Sequence, residues 1–131
     1  MCIIGSGNIV HNLHRIDWRH PDAGFDWAQR FADAARERLL DKPGDVLSLQ
    51  AHRDFDAPVP TPDHFIPMLY LAALADQAGE TPEVLVDGYA HGSLSMTAYT
   101  LDVICPPHES STAGSVPQPD PHLLPPEETN A

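Results

Sequence analysis

Eight histidines stand in this chain against seven lysines and arginines together. Imidazole titrates near neutrality and is the commonest metal ligand among side chains. Two of the eight have settings that suit such work. His11 follows the run Gly5-Ser6-Gly7-Asn8, where a strand breaks into a tight turn; loops at strand C-terminal ends are where active sites collect in open α/β sheets. His64 lies in Thr61-Pro62-Asp63-His64, which reads as a helix start with Thr61 at N-cap, Pro62 at N1 and Asp63 against the positive end of the macrodipole. At that end imidazolium is disfavoured, and a neutral ring is what a metal requires. Both positions also have an ordinary reading. A histidine in a first helical turn is often a surface residue, and one after a turn often only bonds backbone.

The other histidines have weaker settings. His11 and His14 are spaced i,i+3, so a metal pair on one helical turn is conceivable, but the H-E-x-x-H pattern is absent. His91 lies in a turn between two strands, His20 and His52 in loop and helix-end positions, and His108 and His122 in the C-terminal tail. The glycine run is not a nucleotide loop, because the residue three beyond Gly7 is Val10 and no Lys-Ser/Thr follows. Ser6 lacks the G-x-S-x-G elbow of a hydrolase nucleophile. A steric role fits better: two glycines turn the backbone sharply and bring His11 into a cleft.

The elements that must position these residues are legible in outline. Cys2-Ile3-Ile4 reads as a buried strand, and residues 9–16 as a short helix or irregular segment. Phe25, Ala28, Phe31 or Ala32, Ala35 and Leu39 recur at three and four, predicting a helix over 25–40 with Asp26 able to pair with Arg30 outside. Pro43-Gly44 ends it, and Asp45 is placed to cap a shorter helix to about His52. The helix from Thr61 continues to Ala78 with Gly79 as its stop, and Pro67 is expected to kink its first turn. Residues 83–86 and 94–105 read as strands around a turn at 88–92. The order predicts an α/β, layered arrangement.

Totals restrict the partners. The chain has 131 residues and a formal net charge of −12, from 19 acids against 7 bases. That charge excludes ordinary nucleic-acid binding and docking on anionic membranes. No apolar run approaches the ~20 residues needed to span a bilayer, and the first residues lack the basic segment and long apolar stretch of a signal peptide, so a cytoplasmic location is expected. Cys2 and Cys105 form no C-x-x-C pair and are expected to be small buried residues. Residues 106–131 hold seven of the fourteen prolines, four acids and no Lys or Arg; this composition predicts a disordered Pro-rich acidic tail.

The string GSGNIVHNL (Gly5 to Leu13) resembles a motif of class III extradiol ring-cleavage dioxygenases of the DOPA 4,5-dioxygenase type, within the protocatechuate 4,5-dioxygenase β-subunit superfamily. GFDWAQRF from Gly24, VPTPDHFIPMLYLAALAD from Val59 and GYAHGSLSMTAY from Gly88 are similar to further motifs of that family in the same order. The resemblance implies ring opening of a catechol with O₂ on a non-haem Fe(II), with zinc possible in the same site. It implies that His64 is a metal ligand, and that His11 is the acid–base catalyst beside the metal and also approaches it. Such a base takes a catechol proton and later returns one.

The resemblance also implies what is missing. Two further metal-binding histidines of the family lie in an HGSP-like turn and a SAHW-like strand end, and neither motif occurs in this sequence. Met1-Cys2-Ile3-Ile4 aligns with the middle of a family strand. The expectation is therefore the C-terminal half of an extradiol dioxygenase over residues 1–105, truncated, split or misannotated, inactive alone and dependent on the missing N-terminal half for further ligands. The alternative is a non-catalytic remnant or small acidic interaction protein. The missing half is expected to leave a sheet edge and apolar helix faces exposed.

Overall fold

The first strand, Ile3-Ile4-Gly5-Ser6, turns one face toward the helices and leaves the other, with Ile4, exposed. In the computed structural model, which describes residues 2–102, β1 (Ile3–Ser6) alternates between half-buried and exposed positions. It is followed by a 3₁₀ turn at Leu13–Arg15, helix α1 (Asp26–Asp41), a long 3₁₀ segment (Pro43–Ala51), a 3₁₀ turn at Pro62–His64, and helix α2 (Ile66–Ala78). Strands β2 (Glu83–Val86), β3 (Tyr89–Ala90), β4 (Leu94–Ser95) and β5 (Ala98–Leu101) complete it. The mixed helix-and-sheet class is the expected one. The expected tail at 106–131 and Cys105 lie outside the described residues.

One sheet has the order β1-β5-β2, and both pairings are antiparallel. Gly5 pairs with Tyr99 across β1 and β5, and residues paired directly across a ladder share a face. Ile3, Gly5, Tyr99 and Leu101 thus face α2. Gly5 is required there by close approach: a Cβ would stand 3.0 Å from Leu71 Cδ2 of α2. β3 and β4 form a separate hairpin.

α1 buries Ala28, Phe31, Ala32, Ala35 and Leu39, the face its periodicity predicts. Phe31 packs edge-on to Phe55, and Phe55 stands edge-on to Phe65 with centroids 5.6 Å apart at 89°. Such T-shaped contacts are favourable ring geometries. α2 ends at Gly79, whose φ of 67° lies in the left-handed region that favours glycine. Glu80 N–H reaches back to Ala75 O at 3.0 Å, closing the helix end.

Several sequence expectations change. Arg30 does not pair with Asp26 by hydrogen bond; its guanidinium forks onto Asp54 at 2.9 and 3.2 Å. Asp45 does not cap a helix, since the 3₁₀ segment begins at Pro43 with Lys42 before it. The helix expected from Thr61 starts its α-turns only at Ile66. Pro67 has no N–H to give to Asp63 O, and its ring would clash with that carbonyl, so the preceding turn is 3₁₀. The strand expected over 94–105 is broken after Ser95, where Met96 N–H turns aside to Gly88 O at 2.9 Å. Cys2 is exposed, not buried.

Ile4, Ile66, Tyr70, Leu74 and Val86 are all exposed, Tyr70 at 71%. Ile66, Tyr70 and Leu74 recur every fourth residue along one stripe of α2, as side chains i and i+4 must. The unpaired edges of β1 and β2 among the described residues match the exposed edge and helix face that the sequence predicts. No helix among the described residues is long and apolar enough to cross a membrane.

Candidate functional site

His11 and His64 come together. Their ring centroids are 3.5 Å apart and their planes differ by 18°, a face-to-face stack. Each is delivered by a different segment. Val10, fully buried, anchors the chain just before His11, and His11 N–H donates to Pro58 O at 2.9 Å. His64 ends the 3₁₀ turn that Pro62 begins, and the next residue, Phe65, is buried in the aromatic cluster with Phe31 and Phe55. The turn is thus pinned from below while the His64 ring stands partly exposed.

Burial lowers the His11 pKa below the ordinary imidazole value, and the His64 ring adds to that effect, while Asp63 pulls the other way. The Asp63 carboxyl is itself held low, first by its own backbone N–H and then by the Thr61 hydroxyl. Thr61 thus donates to Asp63 and makes no side-chain cap to the turn. Asp63 Oδ2 lies 3.6 Å from His64 Nε2, close enough for charge to be felt but too long for a hydrogen bond.

The donor chemistry of this pair suits a transition metal, since neutral imidazole nitrogens bind iron and zinc. The geometry sets a limit on how. A metal lies close to the plane of the imidazole that ligates it, at about 2.0–2.1 Å for zinc. Two rings stacked this nearly parallel have planes that meet only well beyond such a distance. In this pose one ring can ligate an ion while the other stands alongside it; for both to do so, one ring must turn. The described residues contain no group of three His, Cys, Asp or Glu side chains placed to hold a metal. The pair fits part of a metal site and does not complete one.

The remaining candidates lie apart from such a group. His14 is exposed in its 3₁₀ turn, and its backbone N–H is taken by Asn12 Oδ1 at 3.1 Å. His20 Nδ1 lies 3.0 Å from Asp17 Oδ2. His52 Nδ1 accepts from Asp54 N–H and its ring meets Phe31 edge-on. His91, at φ 52°, packs against Trp18 with centroids 4.5 Å apart, and its Nδ1 is buried without a partner. His108 and His122 lie outside the described residues. Ser6 ends β1 at an exposed position.

A void of about 10 Å³ beside His64 has Gly5, Gly7, Pro67, Met68 and Tyr99 in its lining, and His11 is not part of it. It is about the space of one water and is too small for an aromatic ring. Asn12 is the residue that sequence reasoning passed over. It is 6% exposed and its side chain bonds both Ala57 O and His14 N–H. Its signal was available: an Asn before a short turn is a preferred N-cap.

No protein-family model matches the chain. In sequence it is 32% identical over 104 residues to the 4,5-DOPA dioxygenase extradiol of Escherichia coli (strain K12), across 76% of this chain and 38% of that protein. In structure it superposes on the crystal structure of the uncharacterized protein JW3007 from Escherichia coli K12 with a TM-score of 0.61 and 32% identity. That match covers 72% of this chain and 40% of the other. The chain therefore spans about two fifths of the length of the relatives it matches.

Proposed function

We propose, from the premise that this chain belongs to the extradiol dioxygenase family, that it forms one part of a catechol ring-opening site completed by a second polypeptide segment. The observation that carries the reading is the stack of His11 on His64, two imidazoles delivered by separate segments to one point. In this reading His64 ligates the metal, Fe(II) with zinc possible in the same place. His11 is the acid–base group beside it and can approach the metal if its ring turns.

When bound, the metal would polarise a catechol oxygen and, as iron, bring catechol and O₂ into one coordination sphere. The chain's own residues have simpler duties. His64 offers a ring nitrogen. His11, whose pKa burial lowers, takes a proton from a catechol hydroxyl at a ring nitrogen and later gives it back. Asp63, held anionic, favours the protonated state of His11 once formed. The remaining ligands must come from elsewhere, because two nitrogens make too few ligands.

The test is co-expression of this chain with a segment carrying the HGSP-like and SAHW-like motifs, followed by metal analysis and assay for the yellow ring-opened product. Metal and product together support the reading. Stoichiometric iron with turnover in the isolated chain would overturn the shared-site reading. A second reading, a non-catalytic remnant or small acidic interaction protein, is favoured by one observation: no three-donor group exists among the described residues. A soluble, monomeric, metal-free chain that gains no metal and no activity from the added segment would decide for it.

A further inference from the structure

We infer that Asn12 is a positioning residue whose side-chain amide clasps the His11 segment to the His64 segment and so sets the stack of the two rings. The claim about geometry stands on the structure alone; its consequence for catalysis rests on the reading above.

Asn12 is 6% exposed, and a buried amide is costly unless its donors and acceptors are met. Here Nδ2 donates to Ala57 O at 2.7 Å, and Oδ1 accepts from His14 N–H at 3.1 Å, capping the 3₁₀ turn. The backbone is engaged as well. Asn12 N–H donates to Ser93 O at 3.2 Å, and Asn12 O accepts from the Ser93 hydroxyl at 2.7 Å. Ser93 is fully buried. One residue therefore joins the His11 loop, the 52–60 segment and the β3–β4 hairpin.

The bond to Ala57 has a particular partner beside it. His11 N–H donates to Pro58 O, so consecutive donors at 11 and 12 meet consecutive acceptors at 58 and 57, in antiparallel sense. The second is a side-chain amide standing where a strand would use backbone. One bond leaves two segments free to swivel; two adjacent bonds fix their direction. The 57–58 segment runs directly into the Pro62–His64 turn. The orientation of the His11 segment relative to the His64 turn is thus held by these two bonds, and only the one from Asn12 depends on a side chain.

Asn12→Asp separates the clasp from the cap. An aspartate still accepts from His14 N–H but sets a carboxylate oxygen against Ala57 O, two acceptors facing each other. Asn12→Ser is the second variant: serine is a good cap but too short to reach Ala57. The readout is the imidazole ring-proton NMR spectrum of the full chain, metal-free, at alkaline pH where imidazole is neutral. Signals are assigned with His11→Gln and His64→Gln.

In the wild type both rings are expected upfield of exposed His14, each lying in the other's ring current. Asn12→Asp and Asn12→Ser are expected to return both toward the His14 position. Leu39→Ala, a core change in α1 remote from the clasp, is expected to lower the unfolding temperature and leave the ring signals in place. Folded Asn12→Asp or Asn12→Ser protein with both signals still upfield would overturn the inference, as would an equal loss in Leu39→Ala. Should the rings respond as expected while the completed complex neither binds metal nor opens catechols, the functional reading fails and the clasp stands.

Discussion

The imidazole faces of His11 and His64 are in contact, with centroids 3.5 Å apart, yet the two residues come from different segments of the chain. His11 is tied through backbone to Pro58, and His64 is carried on a turn whose next residue is buried among aromatic rings. Rings carried on different segments can take different roles, because a side-chain change at one leaves in place the backbone bonds that carry the other.

That separation predicts a split between metal content and rate in the completed complex. His64→Ala is expected to lose most of the bound metal and, with it, activity. His11→Gln is expected to keep most of the metal and lose turnover by a factor on the order of 10²–10⁴, the usual range for removing an acid–base group. Metal analysis by mass spectrometry beside a ring-opening assay reads both. Equal metal loss in the two variants would mean that His11 is a ligand first.

Phe31 ties α1 to the segment that carries His64. It is fully buried and touches His52, Phe55 and Phe65. Phe31→Ala is expected to cost about 3–5 kcal/mol, the range for removing a buried aromatic ring, which is a large part of the stability of a small domain. Urea unfolding followed by circular dichroism measures it. A cost below about 1 kcal/mol would show that the aromatic cluster does not bear on stability.

The Arg30–Asp54 pair predicts a pH dependence with a definite sign. The forked hydrogen bond from Arg30 holds the Asp54 carboxyl below its ordinary value, so the folded state binds this proton less readily than the unfolded chain. The pair's contribution is present above the ordinary aspartate value of about 3.9. It is lost as pH falls from there through the lower, folded value. Urea midpoints across the acid range should fall less steeply in Asp54→Asn than in the wild type, from a lower plateau at neutral pH. Parallel acid limbs would show that Asp54 is not a source of the acid sensitivity.

How much of this could be read from residues alone follows the range of each interaction. The buried face of α1 and the left-handed stop at Gly79 are local, set by spacing and by one backbone angle, and both are plain in the sequence. The late start of α2 was also local but competed with a second signal. Thr61 and Pro62 mark a helix start, whereas Pro67 forbids an α-turn across Asp63, and the proline's steric demand prevails. The break after Ser95 depends on Gly88 O lying within reach, a contact across a hairpin that no run of β-formers discloses. Of the site, His11 and His64 were legible, and the family resemblance implied that they meet at one metal. Their stack, and the part of Asn12 in it, depend on backbone carbonyls at Ala57 and Pro58, and a carbonyl leaves no mark in a sequence.

The apolar stripe of Ile66, Tyr70 and Leu74 along α2 yields the last prediction. These side chains lie on the helix face turned from the core, and Tyr70 is 71% exposed. Contiguous exposed apolar surface marks a face that another element covers, or else one that associates with itself. The isolated chain is therefore expected to self-associate as its concentration rises. Tyr70→Lys with Leu74→Lys should reduce that association while shifting unfolding by no more than about 0.5 kcal/mol per site, as is usual for exposed positions. Sedimentation velocity across a concentration series reads the first, and urea unfolding the second. If the same double variant also weakens capture of the complementing segment, this helix face is part of the surface that segment covers. If association is unchanged, the cause lies instead in the open sheet edges of β1 and β2, where an inward-pointing charge on either strand would be the next substitution to make.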